Sequence, residues 1–113
     1  MTLQTKLKTI GDALAATCPN TYHYFRPQMQ LPYCVWMEDG EDTQFNADDR
    51  KKEQVIGGTV DYYTRTEYDP VIDAIQDTLE GLKETLLFGW TLDGVLFEDD
   101  TNTIHYTWSW SVA

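Results

Sequence analysis

The sequence predicts an α+β domain: a mainly antiparallel four-stranded sheet with two helices packed on one face, in the order α-β-β-α-β-β. Three observations predict it. Apolar residues recur at helical spacing in two separate segments. Four other segments carry strand patterning, and the last alternates over ten residues. Each helical stripe needs an apolar surface to cover it, and one sheet face can serve both. The 113 residues fit one domain, 1–113, interrupted by a long polar loop or hairpin at about 39–53.

Residues 3–16 are expected to be helical. Leu3, Leu7, Ile10 and Leu14 fall on one stripe, Thr2 can cap the start, and Ala13, Ala15 and Ala16 favour the backbone. Gly11 weakens the middle unless a close neighbour requires the missing side chain. Pro19 holds Cys18 away from helical geometry and ends the element. Residues 21–30 form an irregular aromatic link with Tyr22, His23, Tyr24 and Phe25.

Residues 31–38 look like a strand with bulky residues on both faces. Leu31, Tyr33, Val35 and Met37 point one way and Pro32, Cys34, Trp36 and Glu38 the other. Pro32 must sit at its beginning or on an unpaired side. Residues 39–53 are the most polar stretch, with Phe45 as the one large apolar anchor, and loops of that length usually bind something or move. Residues 54–64 return as a strand with Ile56, Val60 and Tyr62 on one face. Gly57 and Gly58 there imply a bulge, a sharp twist or a close backbone approach.

Asp69-Pro70 gives the clearest local signal. The carboxylate can accept from free N–H groups of a first helical turn, and proline fits the first helical position. Ile72, Ile75, Leu79, Leu82 and Leu86 then mark an amphipathic helix of about 17 residues. Gly81 lowers its propensity without erasing the pattern. Two strands close the domain, at about 91–98 and at 103–112, joined by Asp99-Asp100-Thr101-Asn102. In the last strand Ile104, Tyr106, Trp108, Trp110 and Val112 share a face.

Charge is unevenly distributed over the net of −11. Residues 1–37 hold three basic groups against Asp12, a net of +2, and residues 38–113 hold five basic against eighteen acidic, a net of −13. That balance disfavours general binding to a nucleic-acid backbone and suits a basic partner, or a surface to which nucleic acid must not stick. Cys18 and Cys34 are not a CxxC pair and read as free, partly buried thiols. The amphipathic N-terminus has no secretory h-region, and no run approaches the roughly 20 apolar residues of a membrane span, so a cytoplasmic origin is expected.

Motifs for chemistry do not stand out. His23 and His105 lack HExxH spacing, and a zinc site would need convergence of Cys18, His23 and Cys34. Counting a calcium loop from Asp39 puts Gln44 where glycine is required. No nucleotide loop or GxSxG elbow occurs, so neither a cofactor nor catalysis is expected. Tryptophan says more: Trp108 and Trp110 fit a covered sheet face, while Trp36 and Trp90 are less constrained, and an exposed member would mark an interface.

Several segments in order resemble the tail terminator or tail-completion (head–tail joining) proteins of tailed bacteriophages. They are Pro32-Tyr33-Cys34-Val35-Trp36, Phe45-Asn46-Ala47-Asp48, Val60-Asp61-Tyr62-Tyr63-Thr64 and Glu67-Tyr68-Asp69-Pro70. Glu98-Asp99-Asp100-Thr101 and Ile104-His105-Tyr106-Thr107-Trp108 complete the series. The resemblance implies a structural subunit, without cofactor, that self-associates into a ring, commonly a hexamer. Such a ring caps the tail-tube protein, meets head–tail connector proteins, and belongs to the virion after assembly in the host cytoplasm. By position, Phe45, Asp48, Asp49 and Arg50 are candidate interface residues beside Trp36 and Trp90. The alternative is an acidic protein-binding module or inhibitor of DNA-mimic type, with a small enzyme as a minor alternative.

Overall fold

In the computed structural model, residues 1–25, 30–41 and 54–113 are described. The chain runs α1 (Leu3–Thr17), β1 (Thr21–His23), β2 (Tyr33–Glu41), β3 (Ile56–Thr64), α2 (Pro70–Gly81), a 3-10 turn (Leu82–Glu84), β4 (Phe88–Glu98) and β5 (Thr103–Val112). The strands form one five-stranded sheet in the order β1-β2-β3-β5-β4. The α+β class therefore holds, but the sheet is mixed and has a fifth strand.

The extra strand lies in the aromatic link. Thr21, Tyr22 and His23 pair in parallel with Cys34, Val35 and Trp36. A parallel partner needs a crossover between the two strands. Pro32, in a cis bond with Leu31, immediately precedes β2. The other three pairings are antiparallel, as the alternating patterns require.

Both helices cover the same sheet face. Leu7, Ile10 and Leu14 of α1 and Ile75 and Leu79 of α2 are buried against Trp36, Val60, Tyr62, Trp108 and Trp110. Thr2 caps α1, its Oγ1 accepting from the Thr5 N–H at 3.1 Å. The helices touch through a hydrogen bond of 2.6 Å between the hydroxyls of Thr17 and Thr78.

Two glycines explain how three tryptophans fit one face. A Cβ on Gly11 would lie 2.7 Å from Trp36 Cζ2, so the helical cost of this glycine is offset by close approach of the indole. A Cβ on Gly58 would lie 2.3 Å from both Trp110 Cζ2 and the Met37 carbonyl oxygen. The expected close backbone approach is thus at Gly58, next to a register irregularity between Glu38 and Gly40.

Several boundaries differ from expectation, among them β4, which begins at Phe88 rather than about 91. α2 stops at Gly81 after 12 residues, and Leu82 and Leu86 reach the core from the 3-10 turn and the segment that follows it. Of the polar loop or hairpin expected at about 39–53, residues 39–41 belong to β2, and 42–53 lie outside the described residues.

β4 carries a second irregularity that decides which way its side chains face. Trp90 and Leu92 stand opposite Trp110 and Trp108 on the helix side, but the register shifts between Leu92 and Gly94. Beyond the shift Val95 pairs with Tyr106 and Phe97 with Ile104, still on the helix side, while Leu96 pairs with His105 on the open face. At this end Tyr62, Thr64 and Thr103 stay buried, and it is the outer strand that is exposed, through Val95, Leu96 and Phe97. The chain's radius of gyration is 15.1 Å, against about 13 Å for a compact chain of this length.

Candidate interaction surface

Three polar clusters and one apolar edge stand out. On the open face, Asp61 of β3 lies opposite Thr107 of β5. His105 Nε2 lies 2.8 Å from Asp61 Oδ1, the Thr107 hydroxyl donates to the same oxygen at 2.9 Å, and Thr107 Oγ1 is 3.2 Å from His105 Nε2. A nucleophile relay needs carboxylate and hydroxyl on opposite ring nitrogens. Here both meet the same nitrogen, so the arrangement cross-links two strands. The His105 ring stacks on Tyr63 at 4.1 Å, and Tyr63 on Tyr33 at 4.6 Å, extending the tie across β5, β3 and β2.

The second cluster closes the β1 edge. His23 stacks on Trp36 at 3.9 Å and on Tyr24 at 3.8 Å, with His23 Nε2 2.7 Å from Glu38 Oε1. The Tyr24 hydroxyl donates to the other Glu38 oxygen. Partial burial would raise the Glu38 carboxyl, but the bonds from Tyr24 and His23 outweigh it and hold it below the usual carboxylate range. The same bond raises the Tyr24 phenol.

The third cluster is the α2 cap. Asp69 is 9% exposed and its Oδ1 accepts from the Val71 N–H at 2.9 Å. Oδ2 accepts from Tyr62 Oη at 2.7 Å and Thr64 Oγ1 at 2.8 Å. Burial pushes Asp69 upward, yet these three donors prevail and lower its titration. Burial first, and then the bond to Asp69, raises the Tyr62 phenol.

The expected site residues fare differently. Phe45, Asp48, Asp49 and Arg50 lie outside the described residues. Trp36 is buried at 4% exposure, because Gly11 admits its ring, so it is a core residue and the exposed contact expected of it is corrected. Trp90 is half-buried, and its Nε1 donates to Glu80 Oε1 at 2.9 Å. Lys83 first, then Trp90, holds the Glu80 carboxyl below its ordinary range. Cys18 and Cys34 are free and buried, and burial raises both thiols. Among the described residues no three His, Cys, Asp or Glu side chains group as metal ligands, and no helix is long and apolar enough to cross a membrane.

Sequence reasoning placed the outer strand at about 91–98 but missed that its apolar side chains are exposed. Leu92, Val95, Leu96 and Phe97 expose 41%, 53%, 58% and 53% of their surface, and among the described residues β4 has β5 as its single neighbour in the sheet. On the helix side this apolar end continues into Ile104 and Tyr106. These line an open recess of about 310 Å³ with Glu67, Tyr68, Asp69, Ile72 and Asp73. Tyr68 is 89% exposed at a φ of 59°, a conformation unusual for an aromatic residue. Isolated exposed apolar residues are ordinary, but a contiguous set on an open strand marks a contact surface. The available signal was Asp93-Gly94, whose glycine inside a strand pattern implies a bulge and a change of facing. No protein-family model matches the chain, and no curated protein matches it.

Proposed function

We propose that this chain is a structural assembly subunit of a phage tail, self-associating into a ring that caps the tail-tube protein and joins the tail to head–tail connector proteins. The observation that carries the reading is the apolar outer strand, left uncovered by the described residues, which offers a docking edge for the tail-tube or connector protein rather than for ring closure. Residues resembling tail terminator and tail-completion proteins support it. Most of them fall within folded elements: Tyr33 to Trp36 in β2, Val60 to Thr64 in β3, Asp69 at the α2 cap and Ile104 to Trp108 in β5. The acidic balance, −11 over the chain, suits a ring whose lumen passes DNA without gripping it.

Native mass spectrometry of the chain at micromolar concentration, and electron microscopy of it with polymerising tail-tube protein, test the reading. Closed rings seated at tube ends are expected. A chain that stays monomeric and leaves tube length unchanged overturns it, and salt-resistant capture of a DNA-binding protein instead favours the DNA-mimic alternative.

A further inference from the structure

We infer that the β4 edge accepts an added strand from a different protein, an extended segment carrying apolar side chains and Lys or Arg. The inference rests on the reading that this end of the sheet is a contact surface, and it names what makes the contact.

Geometry selects a strand. An element lying on the helix side would bury Val95 and Phe97 but leave Leu96, which faces the other way, uncovered. A strand laid along the edge places its alternating side chains beside both faces at once, and its backbone meets the outward N–H and C=O groups of β4. Edge strands are ordinarily blunted by bulges, prolines or charges. In β4 the bulge sits at Leu92–Gly94, and the following run of Val95, Leu96 and Phe97 carries no such protection.

Charge selects the occupant. The apolar run is flanked by Asp93 on one side and by Glu98, Asp99 and Asp100 on the other, and Glu67 and Asp73 border the adjoining recess. A second copy meets this edge badly. Antiparallel pairing of two β4 strands centred on Leu96 sets Asp93 of one copy opposite Asp99 of the other, at both ends of the seam. Like charges directly opposed across strands destabilise the pairing. Each copy also brings a net charge of −11. A Lys- or Arg-bearing strand reverses that sign at every one of these positions and gains from the charge it finds.

The test uses a labelled synthetic octapeptide of alternating valine and lysine, with a glutamate-for-lysine counterpart as control. Binding to the whole chain is followed by fluorescence anisotropy at roughly 150 mM salt. The lysine peptide is expected to bind at least about tenfold more tightly than its counterpart, and Val95→Ser with Phe97→Ser to weaken it about tenfold. Leu87→Ser, at a residue 72% exposed outside the strand, should leave binding unchanged. Amide exchange along β4 should slow when the peptide binds the parent chain, a result that stands even if the double variant fails to fold.

Failure of the lysine peptide to bind, or equal binding of the two peptides, overturns the proposal. So does a double variant that folds and binds as the parent does, since charge alone would then be acting. Binding without slowed exchange in β4 places the occupant on a face and also overturns it. Self-association that the double variant abolishes assigns the edge to a second copy. Because the peptide assay needs no ring, loss of strand addition and loss of ring formation read out separately.

Discussion

At the scale of single residues, the structure enlarges what the sequence assigns to Asp69. The Asp-Pro pair announces a cap, worth about 1 kcal/mol. Tyr62 and Thr64 also donate to the same carboxylate in a buried setting, and neither donor is visible from local spacing. Asp69→Ala should therefore cost about 3 kcal/mol or more in urea unfolding, because two buried hydroxyls lose their acceptor. Asp69→Asn keeps an acceptor and should cost less. The folded carboxyl titrates below its ordinary value, so in acid the unfolded chain takes up this proton first. The stability it contributes is intact above about pH 4 and falls away as pH drops through the folded value. Unfolding of the parent should thus lose more stability between about pH 5 and pH 2 than unfolding of Asp69→Asn. Gly58→Ala should be destabilising by about 2–3 kcal/mol, since its methyl meets a β2 carbonyl and the Trp110 ring. Thermal unfolding measures that directly.

At the scale of elements, the helices and the long strands were legible because their patterns are local. Stripes at three- and four-residue spacing place α1 and α2, and alternation over ten residues places β5. β1 was not legible: three residues of an aromatic link become a strand because the edge of β2 is beside them, which no local pattern records. The end of α2 was misjudged for a different reason. A 3-10 turn keeps Leu82 in the core, so the apolar pattern runs on after the α-helix has stopped. Gly81 itself has φ −64° and open space around its Cβ position. Gly81→Ala should accordingly stabilise the chain by about 0.5–1 kcal/mol, seen as a raised denaturant midpoint with unchanged slope. A lower midpoint would mean that this glycine serves a contact beyond the subunit. The exposure of the outer strand escaped notice because it depends on how far the helices reach, which is not written in periodicity.

At the scale of the whole molecule, the buried core and the exposed apolar run of β4 lie apart. Two helices shelter the sheet face over β2, β3 and β5, and the far part of β4 is left exposed. Phe97→Lys should therefore change unfolding free energy by no more than about 0.5 kcal/mol, while Leu79→Ala, fully buried, should cost about 2–5 kcal/mol. Phe97→Lys should also reduce seating on tail-tube protein in electron-microscopy assays, and a variant that unfolds instead would show the strand end to be part of the core. The tryptophans follow the same division, with Trp36, Trp108 and Trp110 buried and Trp90 half-buried in β4. That division equips the protein with an optical probe of its own. Shielded indoles emit toward the blue and resist aqueous quenchers, so a soluble quencher should preferentially dim the light from Trp90. A partner seated at Val95 to Phe97, about six strand residues from Trp90, would leave that light unchanged, whereas unfolding would carry all four indoles to redder, quenchable emission.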